Sequence, residues 1–136
     1  MIQGGKQYVL KRNDLLYPEL SFRINGVLFD VFKQLGGGNR EKYYQEAVKL
    51  GLQKAGLKFK EQFYVPLKFD GKIVGKYYLD FLIEDKIVLE LKRGKIIAIN
   101  NVDQVKQYLS ALNLKLAIIA SFTYNGVKIN RILNEY

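Results

Sequence analysis

An α/β domain with a mixed β-sheet flanked by helices is the fold this sequence predicts, and three features of its patterning predict it. From about residue 20 to about residue 55, apolar residues recur at three- and four-residue steps, the helical period. From Phe63 the period changes to two, which is the alternation of a strand. Later, a helical segment leads into the almost unbroken apolar run from Lys115 to Phe122, as expected of a strand covered on both faces. With 136 residues, 49% of them apolar, the chain suits one domain with one core.

Residues 1–17 show no clear periodicity and are expected to form an irregular lead-in; the domain proper is expected over 18–136. Pro18 suits the first turn of a helix. The stripe Leu20, Ile24, Val27, Leu28, Val31, Phe32 and Leu35 carries that helix to Gly36-Gly37-Gly38, which ends it. Asn39 is a good N-cap for a second helix, whose stripe is Tyr44, Val48, Gly51, Leu52 and Ala55 and which closes at Gly56. Glu41, three residues before Tyr44, is expected along the same inner stripe.

Phe63, Val65, Leu67 and Phe69 form a first strand, and Pro66 within it argues for a sheet edge or a bulge. Asp70-Gly71 signals a hairpin into a second strand over about 73–83. A turn at Glu84-Asp85-Lys86 leads to a third strand, Ile87 to Lys92. Val102, Val105, Leu109 and Leu112 mark a helix over about 100–112; the strand 115–122 follows, and Asn125-Gly126 turns into a last strand, Val127 to Leu133. The order α-α-β-β-β-α-β-β implies one mixed sheet, with a parallel crossover between residues 87 and 122.

Composition narrows the chemistry. There is no Cys and no His, so disulfides, thiolate metal sites, imidazole acid–base chemistry and His-ligated zinc are excluded. No apolar run reaches the roughly 20 residues that span a bilayer, and no signal-peptide pattern opens the chain, so a cytoplasmic protein with no membrane partner is expected. Lys and Arg number 22 against 13 acidic residues, a formal charge of +9 that attracts polyanions such as nucleic acid.

Three charges interrupt the apolar hairpin "YYLDFLIEDKIVLELK": Asp80, Glu90 and Lys92. Glu90 and Lys92 are two apart and share a sheet face. A turn at 84–86 that pairs Ile83 with Ile87 also sets Asp80 opposite Glu90, with Cβ atoms about 5 Å apart. Two ionised carboxylates that close repel one another, unless a divalent cation such as Mg²⁺ or Mn²⁺ lies between them. A cross-strand salt bridge from Lys92 to either acid is the ordinary alternative. Glu41 could add a third carboxylate, or serve only as a favourable first-turn acid. Gln104 and Tyr108, four apart on the later helix, could support such a site or touch a phosphate, or be a surface polar pair.

Asp80, nine residues, then Glu90-Leu91-Lys92 resembles the D-x(n)-(D/E)-x-K signature of the PD-(D/E)XK nuclease superfamily. "GNREKYY", Gly38 to Tyr44, resembles the pattern of its GxxExxY branch. "LGGG", "DQVKQYL" and "INRIL" look alike too, so the likeness covers about residues 18–134. Position 79 is Leu where the superfamily name has Pro.

The resemblance implies a restriction-endonuclease-like core and a metal-dependent nuclease, acting on DNA in preference to RNA. It implies Asp80 and Glu90 as metal ligands for Mg²⁺ or Mn²⁺, the Leu91 carbonyl and Glu41 as further oxygens, and Lys92 and Gln104 as catalytic partners. Tyr44, Tyr108, Lys106 and Arg93 are expected to contact nucleic acid. A homodimer suits a domain with so small a footprint. The rival readings are a non-catalytic nucleic-acid-binding module on a nuclease-like fold, and a structural protein whose charges only form salt bridges.

Overall fold

The computed structural model describes residues 16–94 and 99–134. The expected lead-in therefore lies outside the described residues, apart from Leu16 and Tyr17. The elements run α1 (Pro18–Leu35), α2 (Glu41–Lys54), β1 (Phe59–Phe69), β2 (Lys72–Ile83), β3 (Ile87–Arg93), α3 (Ile99–Leu112), β4 (Leu116–Phe122) and β5 (Val127–Leu133). This is the order that the periodicities predict.

The strands lie in the spatial order β1-β2-β3-β4-β5. Every neighbouring pair is antiparallel except β3 and β4, which run parallel and are joined through α3. The sheet is mixed, as expected. β1 lies at one edge of the sheet, and the register shifts between Leu67 and Lys68, so both readings of Pro66 hold at once.

Helices cover both faces. On one, Ile24, Val27, Leu28 and Val31 of α1 and Tyr44, Val48 and Leu52 of α2 pack on Phe81, Ile83, Leu89, Leu91, Ile118 and Phe122. On the other, Val105, Tyr108 and Leu109 of α3 pack on Leu79, Val88, Ala117 and Ile119. β4 is buried along its whole length, which explains its lack of alternation. Gly51 is where α2 crosses α1: a Cβ there would lie 2.6 Å from Val27 Cγ1.

Asn39 does not cap α2. Arg40 occupies that position without a side-chain cap, while Asn39 Nδ2 donates backwards to Leu35 O at 2.9 Å. The tight turn after α1 brings the amide within reach of that helix's free carbonyls, and capping the end already formed takes precedence. The turn itself is pressed against the β4–β5 connection. A Cβ on Gly37 would lie 2.6 Å from both Thr123 O and Tyr124 Cα.

The β1–β2 ribbon changes face partway along. Phe59, Phe81 and Ile83 pack on the α1/α2 side, yet Phe63, Val65, Tyr77 and Leu79 pack on the α3 side. Strand alternation alone would keep 59 with 63, and 79 with 81, on one face. The switch falls at Gln62 and Asp80. Gln62 takes a left-handed backbone, φ 50°, and lies between the pairs Glu61↔Phe81 and Phe63↔Leu79, opposite Asp80.

Candidate active site

The β2–β3 turn sets the geometry of the acids. Glu84 and Asp85 both take positive φ (54° and 56°), and Lys86 N–H closes on Ile83 O at 3.0 Å. The ladder then reads Ile83↔Ile87, Leu82↔Val88 and Phe81↔Leu89. The next step brings Asp80 opposite Glu90, as the turn length predicts.

At that step carboxylates take over the ladder. Asp80 N–H donates to Glu90 Oε2 at 2.8 Å, and Leu91 N–H donates to Asp80 Oδ2 at 2.7 Å. Each acid thus satisfies a main-chain donor on or beside the other's strand, and neither forms an ion pair among the described residues. Lys92 is partly buried two residues beyond Glu90. It forms no ion pair with either acid among the described residues, so the salt-bridge alternative lacks its contact.

The electrostatics show the strain of this arrangement. Burial, and then the neighbouring Asp80 charge, push Glu90 up to about 8, against the help of the Asp80 N–H and of Lys92. Burial likewise raises Asp80, opposed by the Leu91 N–H, by Lys92 and by a hydrogen bond from the Gln62 side chain. Glu41 raises both acids through its charge.

Residues 18–132 match the family model of the PD-(D/E)XK nuclease superfamily. The chain belongs to this superfamily. Among curated proteins no sequence matches. Among solved structures, SSO0001 is similar at 16% identity and a TM-score of 0.55, over 92% of this chain and 61% of its own. The alkaline exonuclease LHK-Exo from Laribacter hongkongensis is similar at 12% identity and a TM-score of 0.53, over 69% of this chain and 56% of its own. Both likenesses are of fold, and this chain spans less than two thirds of either protein.

Within this PD-(D/E)XK domain, the residues singled out from sequence separate into three groups. Asp80, Glu90 and Lys92 stand together at the end of the β2–β3 ladder. Glu41, at the first turn of α2, is near enough to act on both acids through its charge, while Gln104 is partly buried on α3 with no hydrogen bond to the acids among the described residues. Glu41 is exposed rather than on the inner stripe, although Tyr44 three residues on is buried. Among the described residues no three carboxylates cluster closely enough to cage an ion by themselves.

Lys106 and Arg93 are exposed. Arg93 lines a cleft of about 420 Å³ with Gly38, Gly94, Phe122, Thr123 and Tyr124. A larger cleft of about 800 Å³, between the start of α1 and the β2–β3 turn, is not lined by Asp80, Glu90 or Glu41.

Tyr44 and Tyr108 cannot offer a ring to nucleic acid, contrary to the sequence expectation. Tyr44 is fully buried; its ring stacks on Phe122 with centroids 4.1 Å apart, and its hydroxyl donates to Gly36 O at 2.6 Å. Tyr108 is buried against Tyr77, and its hydroxyl is pushed upward by burial and then by Glu90 and Asp80. The helical spacing shows which face each ring takes, but α1, β4 and the β1–β2 ribbon are what cover those faces.

Gln62 is the site residue that the sequence does not announce. It lies just before Phe63, where the strand alternation begins, and no pattern marks it. Its left-handed backbone and its hydrogen bond to Asp80 appear only once β1 and β2 are paired. Gln45 is a second such neighbour, its amide nitrogen 3.4 Å from Asp80 O.

Proposed function

We propose that this domain is a divalent-metal-dependent nuclease that hydrolyses phosphodiester bonds, with Mg²⁺ or Mn²⁺ as the ion and DNA as the preferred substrate. One observation carries the reading: buried Glu90 and half-buried Asp80, both with raised proton affinity, are locked side by side, with Lys92 two residues beyond Glu90 and no ion pair to either acid among the described residues.

The donor set fits a hard divalent cation. Asp80 and Glu90 offer carboxylate oxygens whose mutual repulsion and desolvation a dication would relieve, and the Leu91 carbonyl and Glu41 are within the same neighbourhood. The buried Ser121 hydroxyl, in register with Lys92 on β4, has no hydrogen-bond partner among the described residues and adds a polar atom in that neighbourhood. When bound, such an ion supplies Lewis-acid polarisation of the phosphate and lowers the pKa of an attacking water.

The chain's own residues do the rest. Asp80 and Glu90 are pre-fixed by main-chain donors, so no reorganisation is needed to present their oxygens. Lys92, on the Glu90 face of β3, orients the water or neutralises charge growing on the phosphate. Glu41 adds negative charge at the mouth of the site, which favours the dication. The +9 charge, with exposed Arg93 and Lys106, holds the nucleic-acid backbone without reading its bases. A homodimer in the cytoplasm would double the footprint on substrate.

The test is incubation of labelled duplex, single-stranded and branched DNA, and of RNA, with Mg²⁺ or Mn²⁺, beside Lys92→Ala and Asp80→Asn. Cleavage by the wild-type chain and a loss of about 10²-fold or more in each variant is expected. Binding without cleavage at any ion concentration would leave the non-catalytic binding module as the reading.

A further inference from the structure

Two rings that the sequence leaves unremarked stand exposed on the β1–β2 ribbon. Tyr64 and Tyr78 are directly opposed in the β1–β2 register, 41% and 49% exposed, with centroids 5.7 Å apart and planes at 54°. Their neighbours Phe63, Val65, Tyr77 and Leu79 pack on the α3 side, so alternation turns Tyr64 and Tyr78 to the other face of the ribbon. Lys76 lies next along β2 on that outer face, its Nζ 5.9 Å from the Tyr78 ring centroid. The ribbon beneath is held to α3: Tyr77 donates its hydroxyl to Gln107 Oε1 at 2.6 Å and meets Tyr108 edge to face.

The pair sits two residues from Gln62 on β1 and two from Asp80 on β2. That is about 7 Å along the strands, the reach of one nucleotide in an extended single strand. We propose that Tyr64 and Tyr78 form a stacking platform for an unpaired base next to the cleaved bond, with Lys76 holding the adjoining phosphate. This rests on the nuclease reading and deepens it by naming the substrate class: single-stranded or frayed-end nucleic acid. A base inside a duplex has both faces covered by its neighbours and cannot lie on a ring, whereas an unstacked base gains from any exposed aromatic face. The commitment to nucleic acid over a protein partner comes from charge. The exposed ring carries an ammonium beside it, in a domain of net charge +9. That pairing suits a base and its phosphate.

The experiment measures binding of fluorescently labelled oligothymidylate, and of the same length of blunt duplex, by anisotropy in EDTA at low salt. The proteins are wild type, Tyr64→Ala/Tyr78→Ala, Tyr64→Phe/Tyr78→Phe, Lys76→Ala and Asp80→Asn. The double Ala variant is expected to bind the single strand about 10- to 100-fold more weakly, and the duplex unchanged. The double Phe variant, which keeps both rings, should match wild type, and Lys76→Ala should flatten the salt dependence. A circular-dichroism melt close to wild type for the double Ala variant shows that the fold is kept.

Single-strand affinity within twofold of wild type in the double Ala variant overturns the platform and leaves the nuclease reading standing. Asp80→Asn that binds as wild type but no longer cleaves with Mn²⁺ keeps the two claims apart. A wild-type chain that binds no oligonucleotide overturns both.

Discussion

Gln62 faces Asp80 across the β1–β2 ribbon from a left-handed backbone conformation, φ 50°, and its side chain hydrogen-bonds the Asp80 carboxylate. A non-glycine residue held there in mid-strand is strained by about 1–2 kcal/mol. The strain coincides with the point where the ribbon changes face and where β2 gives up its ladder to β3. The left-handed residue lets the ribbon roll over, and the roll places an amide against the acid.

Comparison of Gln62→Gly with Gln62→Ala separates these two effects. Both lose the amide, so both should bind Mn²⁺ more weakly than wild type by a similar factor. Only glycine relieves the backbone, so Gln62→Gly should be more stable than Gln62→Ala by about 1 kcal/mol. Urea unfolding and calorimetric Mn²⁺ titration measure the two quantities. Equal stabilities would show that the backbone there is not strained.

Glu90 makes the metal-free protein sensitive to pH. Its carboxyl has an ordinary pKa of 4.5 and is pushed up to about 8 in the fold. The folded state therefore holds this proton more tightly than the unfolded chain. The resulting stabilisation is complete below about pH 4.5 and is lost as pH rises through about 8. Asp80, also raised, slopes the same way. In EDTA, unfolding free energy should fall by a few kcal/mol across that window. Glu90→Gln should flatten the slope, and Mn²⁺ should restore stability at pH 8 by binding the folded state alone. A pH-independent wild-type stability from 5 to 8 would contradict the raised acid.

Tyr44 acts through packing. Tyr44→Ala removes a fully buried ring stacked on Phe122 and should cost about 3–5 kcal/mol. Tyr44→Phe keeps the stack but removes the short hydroxyl bond to Gly36 O, which keeps only the longer one from Asn39 Nδ2 at 3.4 Å, for about 1–3 kcal/mol. Oligonucleotide affinity of folded Tyr44→Phe should equal that of wild type; a tenfold loss would return this ring to the binding surface.

Gly37 is the tightest point between the two helical-layer and sheet-end loops. Gly37→Ala would set a methyl 2.6 Å from backbone atoms of Thr123 and Tyr124, which no rotamer change can relieve. A loss of about 1–3 kcal/mol is expected, read as a lower midpoint in urea. Gly56→Ala, by contrast, meets open space, and its cost is confined to its own positive φ of 73°. Similar losses at the two positions would mean that the α1–α2 loop is not packed against the β4–β5 turn.

Local signals carried most of the architecture. Helical and strand periods placed every described element to within a few residues, since period is set by backbone geometry and needs no partner. The Asp80–Glu90 pairing was legible for the same reason: a short turn fixes register, and register fixes which residues face each other. Asn39 misled because two helix ends competed for one amide, and only the turn's path decides between them.

What the amino-acid order could not decide was coverage. Periodicity assigns Tyr44, Tyr108, Tyr64 and Tyr78 to faces of their elements. Whether a face is buried depends on segments far away in the chain: β4 over Tyr44, the ribbon over Tyr108, and none of the described residues over the exposed rings of Tyr64 and Tyr78. The left-handed Gln62 is of the same kind. Its conformation answers to the rolling of two paired strands, a long-range requirement that no local propensity encodes.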